Sequence, residues 1–143
     1  MSQERSEAFF PNLAASLNNL ANLLRTVGRR EEALARAHES VSIYRQLAQR
    51  RPDAFLPDLA RSLAVRGGIL AEVRPGEALE SLAEAMSILT PFFSQLPRAY
   101  APLMKDARDS YLSTAQSAGV APDSAILDPV TAIFEKLNSP EQK

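Results

Sequence analysis

The sequence has no cysteine, which excludes disulfides, thiolate nucleophiles and cysteine-ligated zinc. It has one histidine, His38. A metal site needs several ligands, and acid–base catalysis needs a partner group within hydrogen-bond reach, so a lone imidazole points to neither. The adjacent Glu39 must point to another side of a helix. Apolar runs are short: none approaches the ~20 residues that a bilayer-spanning helix requires. The opening MSQERSEAFFPN contains no apolar signal core. Glycine is scarce, with 5 in 143 residues, and no glycine-rich loop shaped to cradle phosphates is present; Gly67-Gly68 follows no strand. An excess of one charge is also missing. The net charge is −1, which gives no general attraction to nucleic acid. The pairs Arg29-Arg30 and Arg50-Arg51 are interleaved with acids and have no aromatic stacking platform beside them. These absences argue against an enzyme, a cofactor or metal protein, a nucleic-acid binder and a membrane protein. The expectation is a cytoplasmic chain.

What remains is helix-forming. Hydrophobic residues make up 45%, enough for a core, and the length suits one domain. The 10 prolines fall mostly between segments of helical period, as punctuation. The first helix is expected from residue 9 or 11 to 27, on a single apolar stripe of Leu13, Leu17, Leu20, Leu24 and Val27. Ala14 and Ala21 allow close approach of a neighbour, and Gly28 ends the helix. A second helix covers 30–50 on Ala33, Leu34, Ala37, Val41, Tyr44, Leu47 and Ala48. Glu31 and Glu32 in its first turn and Arg50-Arg51 at its end suit the helix dipole. A third covers 57–73 and contains Gly67-Gly68. Two mid-helix glycines cost about 1 kcal/mol each against alanine, so a close helix contact is expected there. A fourth covers 77–90, with Pro91 kinking it or opening a short extension over 92–96. A fifth covers 101–118 and ends at Gly119. A last helix is expected at 129–137, capped by Asp128 and opened by Pro129. Residues 1–8 and 138–143 are expected to be flexible ends.

The chain repeats. Ala8-Phe9-Phe10-Pro11, Ala54-Phe55-Leu56-Pro57 and Ala99-Tyr100-Ala101-Pro102 share one phrase, with the prolines spaced 57 − 11 = 46 and 102 − 57 = 45. Leu13, Ala14, Ser16, Leu17 and Leu24 match Leu59, Ala60, Ser62, Leu63 and Leu70 at the longer offset, and Glu32-Ala33-Leu34 matches Glu77-Ala78-Leu79 at the shorter. Such a period fits two helices of about five turns with short connections. One amphipathic pair cannot bury its own stripe, whereas stacked pairs share a continuous core. Three units follow, over 9–52, 53–97 and 98–137.

The first unit resembles a tetratricopeptide repeat in its longer variant, through Leu17, Leu20, Ala21 and Leu24, the turn glycine Gly28, and Ala33, Ala37 and Ser40. The second keeps Leu63, Gly67, Leu70, Ala78 and Ala85 but has Arg74 at the turn and Arg66 at an apolar position. The third is marked by Tyr100 and Pro102. The resemblance implies an all-α, right-handed superhelical stack of about three antiparallel hairpins, with the last unit as a cap. Ser16-Leu17-Asn18-Asn19-Leu20-Ala21 is similar to the repeats of kinesin light chains, where first-helix asparagines on a concave surface hold an extended peptide. That resemblance implies a groove lined by Asn18, Asn22 and Arg25, by Arg61, Ala64 and Gly68, and by Asp106, Asp109 and Ser113.

Asparagine is a poor helix former. Asn18, Asn19 and Asn22 therefore serve either hydrogen bonds between stacked helices or a groove. Asp106 and Asp109 share one helix face with Lys105 and Arg108, which reads as an ion-paired surface; glycosidase carboxylates sit across a cleft. Glu77, Glu80 and Glu84 form an acidic row expected to face solvent. Residues 25–74 hold ten arginines against six acids, and residues 75–143 five bases against nine acids. This asymmetry allows head-to-tail self-association as well as a partner of matching charge. The expected function is a scaffold-type protein–protein interaction module that takes a partner peptide or helix in the groove, at Asn18, Asn22, Arg25, Arg61, Asp106 and Asp109. The alternatives are a structural spacer forming homo-oligomers, and a regulatory sensor piece of a larger signalling protein.

Overall fold

The computed structural model describes residues 3–139, with side chains from residue 8 onward. Residues 1, 2 and 140–143 of the two expected flexible ends lie outside the described residues. Six helices follow one another: α1 (Gln3–Thr26), α2 (Arg30–Arg50), α3 (Pro52–Val73), α4 (Pro75–Gln95), α5 (Pro97–Ala118) and α6 (Ser124–Asn138). No strand occurs among the described residues. The helices pack as an all-α stack of antiparallel hairpins, each against the next in sequence.

Helix starts differ from the sequence expectation in a consistent way. Pro11, Pro57 and Pro102 do not open helices; they lie inside α1, α3 and α5. The openers of α3, α4 and α5 are Pro52, Pro75 and Pro97, each at the first or second helical position. A residue preceding proline is pushed out of the helical region. Arg51, Arg74 and Leu96 accordingly take φ between −130 and −143, and each closes one helix and caps the next. The proline of the repeat phrase thus lies in the second turn of α3 and α5 and in the third turn of α1. The period survives the shift: α3 and α5 start 97 − 52 = 45 residues apart, and α2 and α4 start 75 − 30 = 45 apart. Pro91 lies inside α4, which continues to Gln95. Asp128 and Pro129 lie inside α6; its cap is Asp123, whose side chain accepts from the Ala125 N–H at 2.9 Å. The Asp123 N–H in turn donates to the Tyr111 hydroxyl at 3.0 Å. Only the two remaining turns use glycine in the left-handed region, Gly28 at φ 85° and Gly119 at φ 69°.

The core runs the length of the stack. Ala21, Ala33, Leu34, Ala37, Ile69, Leu70 and Ala78 form its first part, and Leu82, Met86, Leu89, Phe93, Met104 and Val130 its last. The small residues permit the close packing: Gly67 lies against α4, where an added Cβ would fall 2.6 Å from Leu82 Cγ. Three buried serines tie helices together. Ser62 Oγ lies 2.8 Å from Ser40 Oγ, which donates to the Ala14 carbonyl, and Ser81 Oγ donates to the Leu63 carbonyl at 2.7 Å. Arg66, at an expected apolar position, is half-buried and donates from Nε to Ser81 Oγ at 3.2 Å.

One expectation for α1 fails. Leu13, Leu17, Leu20, Leu24 and Val27 do not form one buried stripe. Ala14, Leu17 and Ala21 face the core, while Leu20 is 42% and Val27 70% exposed.

Candidate functional site

The backbones of the odd-numbered helices approach closely, α1 to α3 and α3 to α5, whereas α2 and α4 meet only through side chains. The stack therefore bends, with α1, α3 and α5 on its inner side. A cavity of about 560 Å³ opens there, and Asn18, Asn22, Arg25, Arg61, Asp106 and Asp109 all line it. Ala64 and Gly68 are on the same lining; Ser113 is not, and Ser110 takes its place. Asn19, which the sequence leaves open between a groove and hydrogen bonds between helices, also lines it, with Val65 and Leu103, which the sequence does not single out. Two of these were legible in register, since Asn19, Val65 and Ser110 stand 65 − 19 = 46 and 110 − 65 = 45 residues apart. The C-terminal helix does not fill the cavity, because α6 packs on α4 and α5 only.

The polar groups on the lining differ in how far the protein itself satisfies them. Asn18 is 7% exposed, and its Oδ1 meets no protein donor. A buried acceptor left unmet costs about 1–3 kcal/mol. Arg25 lies 3.6 Å from Glu72 and spreads its guanidinium over Gly68, where a Cβ would fall 3.0 Å from its Nη1. Arg61 lies 3.9 Å from Asp58. Both contacts are long and half-exposed, so they contribute little. On the opposite wall Lys105 donates to Asp109 at 2.9 Å, and that bond holds the Asp109 carboxyl below the usual carboxylate range. Asp106 is exposed beside them. The cavity thus carries amides and guanidinium groups from α1 and α3 and carboxylates from α5.

The other charged candidates lie elsewhere. His38 is exposed on α2, with Nδ1 3.4 Å from Arg66 Nη1. Burial, and then the Arg66 charge, push its imidazole below its ordinary value. Glu77 and Glu80 face solvent as expected, but Glu84 is half-buried and accepts from Arg45 at 2.6 and 3.2 Å, joining α2 to α4. Arg30 contributes to an interhelix pair, with Nε 3.1 Å from Glu72. Arg51 lies 5.9 Å from the Phe55 ring. Among the described residues no helix is long and apolar enough to cross a membrane, and no cluster of three or more His, Cys, Asp or Glu side chains could hold a metal ion.

No curated protein and no solved structure matches the chain. Residues 13–53, which take in most of α1, the Gly28 turn and all of α2, match the tetratricopeptide repeat family, and this similarity supports a repeat of that family as the first hairpin of the stack.

Proposed function

We propose that the chain is a single repeat domain over residues 9–137 that binds a partner protein through an extended peptide or helix laid in the concave groove, in the manner of kinesin light chain-like arrays. Tetratricopeptide repeats are in general protein–protein interaction modules. The observation that carries the reading is the convergence of six polar side chains from α1, α3 and α5 on one open cavity, the exposed amide of Asn22 among them. An extended peptide supplies main-chain N–H and C=O groups that such an amide can meet. The Arg61 side and the Asp106–Asp109 side would then read opposite charges along the bound segment.

Selection from a displayed peptide library on the purified domain tests this. Sequences enriched on the wild type bind at least about tenfold more weakly to a variant carrying Asn22→Ala and Arg61→Glu, because both side chains are exposed lining residues whose change leaves the core intact. Equal recovery on both proteins overturns the groove reading. Asn18→Ala gives a second, independent readout. It removes an unmet acceptor and a poor helix former, so the melting temperature rises, by the equivalent of about 1 kcal/mol, while peptide affinity falls. A variant that is less stable and binds equally well contradicts the role.

A further inference from the structure

Helix α1 carries a second apolar strip that the fold leaves uncovered. Phe9, Leu20, Leu23 and Val27 are 48%, 42%, 65% and 70% exposed. With Leu13 and Ser16 they recur at alternating steps of four and three residues, the spacing of a helix–helix seam. At 3.6 residues per turn this strip lies on the opposite side of α1 from Asn18, Asn22 and Arg25. Its surroundings are unusual for an outer face. Residues 8–24 contain no charged side chain, whereas the outer side of α2 carries Glu31, Glu32, Glu39 and Arg50. A solvent-facing helix surface is normally charged.

We propose that a second copy of this chain covers the strip, with the two α1 helices packed antiparallel about a two-fold axis. The spacing fits this arrangement. Centred on residue 18, antiparallel pairing sets Phe9 against Val27 of the second copy, Leu13 against Leu23 and Ser16 against Leu20. The small Ser16 then lies next to the axis, where it lets the helices approach. Charge fits as well. An uncharged strip does not repel its own copy and offers nothing for a charged partner to engage. Arg25, the one charge between residues 8 and 28, turns away towards Glu72. At the other end of the stack, among the described residues, α6 covers the core with Ile126, Leu127, Ile133, Phe134 and Leu137 packed against it. Head-to-tail stacking is therefore disfavoured, and the isologous contact remains. The exposed parts of Phe9, Leu20, Leu23 and Val27 amount to about 400 Å² per copy, which makes a contact at the small, reversible end of protein interfaces.

Sedimentation equilibrium of the full chain, from low-micromolar to near-millimolar concentration, tests the proposal. The expected result is a monomer–dimer equilibrium that salt leaves unchanged or strengthens, as for apolar burial. Leu23→Glu weakens it at least about tenfold and leaves the thermal melt of the monomer in place. Orientation is read from disulfides, since the chain has no cysteine of its own. An equal mixture of Phe9→Cys and Val27→Cys chains forms the mixed disulfide. A monomer at every concentration, a dimer indifferent to Leu23→Glu, or disulfides only between like chains overturns the proposal.

Discussion

Replacing Phe93 by alanine is expected to cost about 3–5 kcal/mol, a large part of the about 5–15 kcal/mol that holds a domain of ordinary stability together. Phe93 is fully buried. It lies in the last turn of α4, beyond Pro91, and its ring stands 4.9 Å from that of Phe134 on α6. Arg108 on α5 lies over the other ring at 4.4 Å. The side chain thus joins the three C-terminal helices at one point, and its truncation leaves a cavity that none of them can close alone. The neighbouring Phe92 is half-exposed and meets Tyr100 edge-on at 6.1 Å; Phe92→Ala serves as the milder control. Thermal melts followed by circular dichroism check the pair. A Phe93→Ala protein that melts within a few degrees of the wild type would mean that α6 does not depend on this contact.

The second large effect is a coupling. Leu82 is fully buried against Gly67, so Leu82→Ala costs about 2–5 kcal/mol. Gly67→Ala gains about 1 kcal/mol of helix propensity, but its new methyl group collides with Leu82 Cγ and Cδ2, and overpacking of that kind costs about 1–3 kcal/mol. In the double variant the collision is gone. The alanine at position 67 then turns from neutral or harmful to stabilising, with an interaction energy of about 1–3 kcal/mol across the cycle. Gly68→Ala behaves differently as a single change. Its methyl group meets only the flexible end of Arg25, which can swing aside, so stability rises by up to about 1 kcal/mol. Chemical denaturation of the four proteins of the cycle and of Gly68→Ala measures these signs. Additive effects of Gly67→Ala and Leu82→Ala would show that the contact is not strained by the extra carbon.

The all-α repeat stack was legible because its period is written twice, in apolar spacing and in the proline phrases. The concave cavity was legible for a related reason. Once Asn18, Arg61 and Asp106 are placed on first helices of a repeat, the curvature of the stack brings those helices side by side. Helix starts were less legible. A proline six residues into a helix and a proline at its first position look alike in sequence, so Pro57 resembles an opener although Pro52 holds that place. The cap of α6 is hidden for the same reason, since Asp128-Pro129 imitates a start that Asp123 provides. The two-sided character of α1 was not legible because Leu20 and Leu24 both continue a spacing of three or four; only the packing of α2 decides which of them is covered.

The connections at Arg51, Arg74 and Leu96 are a single residue long and are locked by the proline that follows each. Such joints have almost no slack. From Arg30 to Ala118 the chain should therefore respond to load as one stiff spring, while the glycine corners at Gly28 and Gly119 act as its compliant ends. Widening or narrowing of the inner surface would come from small changes in overall pitch, together with swinging of α1, and not from any one hairpin opening in the middle.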